Sequence, residues 1–206
     1  FIATVVGARV GHCLFYEFNE YIQDPIRILY VWEGGLASHG AALGLLVGIY
    51  LFSKKNHFTY IWSLDRITTV IPIGGAFIRL GNLMNSEIYG TPTDLPWGFI
   101  FVRRQETLPM HPTQIYEALI YFLIFGLLGY LFFKKNLATR RPGALFGIFL
   151  ITLFGSRFFV EMIKNVQESF EQALTLNMGQ ILSIPFVALG VIILILAYRK
   201  KPIFKI

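Results

Sequence analysis

Apolar residues in this chain gather into long continuous runs, neither alternating as in strands nor confined to one helical face. A bilayer core of ~30 Å takes about 20 apolar residues as a helix. Five stretches meet or approach that length: Ile28 to Phe52, Ile67 to Met84, Ile115 to Phe133, Gly143 to Ile163 and Met178 to Tyr198. Phe1 to Tyr16, which opens without a methionine, reads as the truncated remainder of a sixth. The pattern predicts an all-α, polytopic membrane helix bundle of about five full crossings plus a truncated first crossing. Residues 1–206 are expected to form one integral membrane domain.

Punctuation within the runs predicts where they break. Gly34-Gly35, followed by Ser38, His39 and Gly40, should split the first long stretch into an outer re-entrant or loop part and a crossing of about fifteen apolar residues. Pro72, with Gly74 and Gly75 behind it, and Pro185 should kink their crossings. Pro112 suits the first turn of a helix beginning near His111, and Asn177 with Gln180 has the spacing of a capping box.

Composition agrees with a hydrocarbon solvent. Hydrophobic residues make up 55% and charged ones only 15%, against about a quarter charged in soluble domains, and a disordered chain is excluded. The net charge of +6 includes no basic run interleaved with aromatics, so nucleic acid is not an expected partner. Cys13 is the one cysteine and excludes an intrachain disulfide. If the chain alternates sides, loops 53–66, 134–142 and 199–206 share a face with eleven Lys/Arg against Asp65 alone. Loops 17–33, 85–112 and 164–177 carry four Lys/Arg against nine acids. Lys/Arg enrichment marks the cytoplasmic side, which places the second set of loops outside.

Ionisable groups inside crossings are costly and usually face an interior or a cavity. Arg157 and Glu161 lie four apart on one helix face and form either a structural ion pair or a guanidinium held in place for an anion. Arg79, Asn82 and Asn85 (or Ser86) follow at helical steps near the outer end of their crossing, between two glycines. That face suits phosphate, because guanidinium offers a bidentate fork to its oxygens. His39 stands where the interrupted stretch resumes, as a packing residue or a functional one. Gln114 and Glu117 share a face at the outer mouth of their helix, with His111 as a capping or loop residue. Arg9 and His12 share a face in the first run, in the interior or snorkelling from a chain end. No metal-ligand spacing and no serine-hydrolase motif is present, and no metal or cofactor is expected.

Taken together, these motifs resemble the bacterial prolipoprotein diacylglyceryl transferase family. The order runs Gly7-Ala8-Arg9, Trp32-Glu33-Gly34-Gly35-Leu36-Ala37-Ser38-His39-Gly40, Arg79-Leu80-Gly81-Asn82 to Glu87 and Gly90, and His111-Pro112-Thr113-Gln114-Ile115-Tyr116-Glu117. It continues with Arg157 to Glu161 and Met178-Gly179-Gln180-Ile181-Leu182-Ser183-Ile184-Pro185. The resemblance implies transfer of the diacylglyceryl group of phosphatidylglycerol to the lipobox cysteine of a preprolipoprotein, forming a thioether and releasing glycerol 1-phosphate. It implies functional roles for His39, Arg79, Asn82, Gly90, Arg157, Glu161 and Glu117; His39, Arg157 and Glu161 are expected to be catalytic, and Arg79, Asn82, Gly90, Glu117 and, from its place on the Arg79 face, Asn85 to bind substrate. It also implies a bacterial inner membrane protein with its site toward the outer side. This chain departs from the family at His39-Gly40-Ala41, where His-Gly-Gly is usual, and at Leu153, where the family has a tyrosine, and set against the family its amino-terminal crossing is expected to be missing. A secondary transporter for an anionic solute is the rival reading; it predicts corresponding broken helices in repeated halves, which the chain does not display.

Overall fold

In the computed structural model residues 1–165 and 176–199 are described. The rest of the acidic 164–177 loop and the basic tail after Arg199 lie outside the described residues. The main elements are α1 (Ile2–Phe15), α2 (Phe18–Gln23), α3 (Ser38–Lys55), α4 (Tyr60–Ile67), α5 (Ile71–Met84), α6 (Thr113–Phe133), α7 (Leu137–Arg140), α8 (Ala144–Val160) and α9 (Met178–Arg199). Among the described residues the only extended pairings are isolated antiparallel bridges, as between Gly90 and Lys164. Contacts gather into two compact units, residues 1–63 and residues 64–206.

In the first unit α1 packs on α3 along glycines. A Cβ at Gly7 would stand 2.7 Å from Gly44 Cα, and one at Gly11 would stand 2.8 Å from Gly40 Cα. Lipid gives helices no hydrophobic reason to associate, so backbone approach through small residues supplies the dispersion contact. The expected interruption before α3 is present. Gly34 and Gly35 adopt φ of 95° and 68°, and the helix resumes only at Ser38.

In the second unit the core lies among α6, α7, α8 and α9, with Leu128, Ala144 and Leu145 fully buried. Helices α8 and α9 cross at Gly147 and Gly190, and Phe154 stacks on Phe186 at 4.3 Å. The outward faces remain apolar. On α9, Leu182, Ile184, Ile192 and Leu196 are each about half exposed, the outward face expected of a helix surrounded by hydrocarbon. Three spans are long and apolar enough to cross a membrane, Thr113–Phe133, Ala144–Ile163 and Met178–Arg199. A fourth exists if α4 and α5, bent by 43° at their junction, count as one. The chain is a membrane protein, but five full crossings are not reached by length and apolarity among the described residues. Helix α5 has 14 residues, and α3 carries Ser38 and His39 at its start and Lys54 and Lys55 at its end.

Pro72 opens α5 instead of kinking it, and the bend falls just ahead of it. A residue without an N–H suits a first turn, where that donor has no partner anyway. Helix α9 continues as one element through Pro185. The capping box forms, since Gln180 N–H donates to Asn177 Oδ1 at 2.9 Å and Asn177 N–H to Gln180 Oε1 at 3.2 Å.

Asp65, on the sequence merely the one acid of a basic face, is fully buried against the start of α8. It accepts from the N–H groups of Gly143 at 2.6 Å and Phe146 at 2.9 Å. A carboxylate at a helix amino terminus satisfies orphan donors and meets the positive end of the dipole. Asp65→Ala should therefore lower stability by about 1–2 kcal/mol, read as a lower thermal midpoint in detergent, with Asp65→Asn in between. Unchanged midpoints in both variants would mean that the cap contributes nothing.

Candidate active site

Five charged residues of the second unit, from α5, α6 and the end of α8, form one connected line. Arg79 on α5 brings Nε to 3.0 Å from Glu117 Oε2 on α6. Lys164 Nζ reaches the other oxygen of Glu117 at 3.0 Å and Glu161 Oε2 at 3.1 Å. Arg157 on α8 closes the line, with Nε 3.9 Å from the same Glu161 oxygen. The order is guanidinium, carboxylate, ammonium, carboxylate, guanidinium. The two carboxylates and the ammonium are almost wholly buried, while the side chains of Arg79 and Arg157 are 14% and 36% exposed. Three cations against two anions leave one surplus positive charge, and the guanidiniums stand at the ends where an incoming anion can reach them.

Neither arginine is saturated by its carboxylate. Arg157 approaches Glu161 at more than hydrogen-bond length. The Arg79 contact is an ion pair without an aligned N–H, so Glu117 Oε2 is a buried acceptor with no hydrogen-bond donor among the described residues. Gln114 Oε1, one turn earlier on α6, is in the same condition. A guanidinium not gripped bidentately by its carboxylate keeps donors for other acceptors; Arg79 gives some of them to Asn82 and Tyr121.

From Arg79 a polar line runs outward. Its Nη1 donates to Asn82 Oδ1 at 3.3 Å, and Asn82 Nδ2 donates to Glu87 Oε2 at 3.2 Å. The next member is thus Glu87, while Asn85 is the exposed carboxyl-terminal cap of α5. Glu87 sits between Ser86 and Ile88, whose φ values of 56° and 57° are left-handed. For a β-branched residue that conformation is strained, at about 1–3 kcal/mol, and persists only where neighbours impose it. They do so here. Arg104 Nε donates to Ser86 O at 3.0 Å, Gln114 Nε2 to Glu87 O at 2.6 Å and Thr113 Oγ1 to Ile88 O at 2.9 Å. Ser86 to Tyr89 and Arg104 line an open cleft of about 440 Å³.

Gly90 serves close packing. Its N–H donates to His111 O at 2.8 Å, and a Cβ there would collide with Ile163 O, His111 and Thr113. The same holds for Gly179, whose Cβ would overlap the Glu161 carboxyl. Beside Arg157, an apolar groove of about 490 Å³ runs between α6 and α8 past Ile120, Leu127, Gly155, Ser156 and Phe159.

The first unit holds the other residues singled out in the sequence. His39, exposed in the first turn of α3, has its ring edge-on to Phe15 at 5.3 Å and tilted against Tyr16 at 5.9 Å. Arg9 does not snorkel; it is 4% exposed. Its guanidinium donates to the carbonyls of Ile28 at 2.9 Å, Gly34 at 2.8 Å and Gly35 at 3.2 Å, and also to that of Arg27. Arg9 therefore ties down the loop that leads into α3. A side chain at Gly35 would meet Arg9 Nη1 at 2.5 Å. His12 contacts Glu17 at 3.2 Å, and that hydrogen bond holds the Glu17 carboxyl below its ordinary range.

Sequence reasoning brought Arg79 to Asn82 and Arg157 to Glu161 together correctly as neighbours. It missed Lys164, which reads as a loop charge and in fact follows the helix in extended backbone, from where its side chain reaches back to Glu161. It also missed that Glu117 faces Arg79, since no spacing links residues on different helices.

The comparisons with known proteins bear on this geometry directly. A family profile described as prolipoprotein diacylglyceryl transferase matches residues 1–196. A phosphatidylglycerol–prolipoprotein diacylglyceryl transferase of Porphyromonas gingivalis is 47% identical over 216 residues, covering 98% of this chain and 76% of the relative. The Tolumonas auensis protein of that name is 46% identical, covering 98% and 77%, and that of Chloroherpeton thalassium is 45% identical, covering 98% and 75%. The matched span includes every position of the buried charge line, and the chain belongs to the prolipoprotein diacylglyceryl transferase family.

Proposed function

We propose that the chain moves the diacylglyceryl group of phosphatidylglycerol onto the lipobox cysteine thiol of a preprolipoprotein signal peptide, in the bacterial inner membrane and from its outer side. The observation that carries this reading is the surplus positive charge of the buried line, with its two open guanidiniums. Phosphatidylglycerol brings one negative phosphodiester, which matches that surplus. Family membership disfavours the transporter alternative.

The bond that breaks joins a glyceryl carbon to a phosphate oxygen, and the bond that forms joins that carbon to sulfur. Negative charge therefore builds on the departing phosphate as glycerol 1-phosphate leaves. Preorganised donors aimed at that charge are the principal catalytic device, and they act most strongly where water is excluded. In this reading Arg79 and Asn82 hold the headgroup, and Arg157, oriented by Glu161, stabilises the leaving phosphate. Glu117 Oε2 and Gln114 Oε1 are the kind of acceptors that headgroup hydroxyls would satisfy. Asn85 and Gly90 border the headgroup's approach, and the groove beside Arg157 suits an acyl chain. His39 assists removal of the thiol proton; a free cysteine titrates near ~8.5, so a modest base suffices. The basic loops 53–66 and 134–142 then face the cytoplasm.

The purified transferase, reconstituted with labelled phosphatidylglycerol and a lipobox peptide, should yield the thioether product; solute uptake without transfer would instead favour a transporter. Arg157→Lys keeps the charge and loses the planar fork, so transfer should fall by about 10²-fold, and near-normal transfer would remove Arg157 from its role. His39→Gln should slow transfer by about 10²-fold at neutral pH, with the loss shrinking as pH rises and the thiol ionises unaided. A parent-like rate at all pH values would exclude His39 as the base.

A further inference from the structure

Lys164 lies outside every motif on which the functional reading rests, yet it touches both carboxylates of the buried line. Its side chain is 2% exposed, and its ammonium stands 3.0 Å from Glu117 and 3.1 Å from Glu161. Its main chain is fixed as well, since Lys164 bridges Gly90 and Thr91 N–H donates to Ile163 O at 2.9 Å. A buried ammonium is expensive and needs partners, so its presence between two carboxylates calls for a physical reason.

That reason is visible in what the line would become without it. Two arginines and two glutamates alone would have no net charge. Each carboxylate would be free to take its own guanidinium in a two-pronged grip, the strongest geometry open to that pair. Both arginines would then be turned inward and neutralised. The lysine occupies one oxygen of each glutamate and prevents this: Arg79 is left with an edge contact and Arg157 with a distant one. The lysine also supplies the surplus charge.

We infer that Lys164 is a positioning residue of the transfer reaction: it meets no substrate atom, divides Glu117 from Glu161, and thereby keeps Arg79 and Arg157 open to a phosphate. The inference rests on the transferase reading above. Four enzymes decide it, the parent, Lys164→Arg, Lys164→Met and the double variant Lys164→Met with Glu117→Gln. The double variant restores the surplus charge and leaves no buried carboxylate without a cation, so it guards against simple misfolding, but it lacks the bridge. Each is assayed for transfer from phosphatidylglycerol to a lipobox peptide, for inhibition by inorganic phosphate, and for thermal midpoint.

Lys164→Met should lose about tenfold or more in kcat/KM, with phosphate inhibition weakened in step. Lys164→Arg should recover most of the loss, and the double variant should remain about tenfold below the parent. A purely structural lysine would move the midpoint and leave phosphate inhibition unchanged in whatever enzyme folds. The inference is overturned if the double variant matches the parent, if phosphate inhibition stays constant across the set, or if Lys164→Met transfers normally. A parent that makes no thioether overturns the transferase reading itself, a result separate from any difference among the variants.

Discussion

Two carboxylates buried among apolar helices can stay ionised only if cations stand against them, and the second unit is organised around meeting that condition. Glu117 comes from the amino-terminal turn of α6 and Glu161 from the carboxyl-terminal end of α8, and both are shared by Lys164 and an arginine. Removing one partner of such a group typically costs about 3–5 kcal/mol, because the other is left uncompensated. The placement of α5, α6 and α8 at this end of the unit is therefore tied to charge neutralisation as much as to packing.

The local structure around the line follows from the same demand. Gly179 lets α9 pack against the Glu161 carboxyl, where any side chain would collide with it. Gly90 allows the 90–91 segment to lie beside Ile163 and Lys164, which fixes the lysine's main chain. The strained turn at Ser86 and Ile88 is imposed by donors from Arg104, Thr113 and Gln114. In this way Asn82 and its partner Glu87 are held in place by the surrounding structure, the kind of preorganisation that electrostatic catalysis needs.

The first unit solves a different problem with a different device. Its helices approach through glycines, and its deeply buried Arg9 is held by backbone carbonyls of the loop before α3. The consequence is a loop held firmly at the point where α3 and His39 begin.

Helix content, the broken run before α3, the Asn177 and Gln180 cap and the Arg157 and Glu161 pair were legible in the sequence, because each depends on residues within one helical turn or on the apolar length of a single segment. The membrane solvent was legible for the same reason, being a matter of composition along a run. Contacts between helices were not. That Asp65 caps α8, that Glu117 faces Arg79 and that Lys164 joins two carboxylates depends on which faces meet after packing, and membrane helices associate through shape and small residues that leave no periodic signal of partner choice. Local chemistry thus determined which residues were unusual for a membrane, whereas the tertiary structure alone decided which of them stand against one another, because that depends on which helix faces meet.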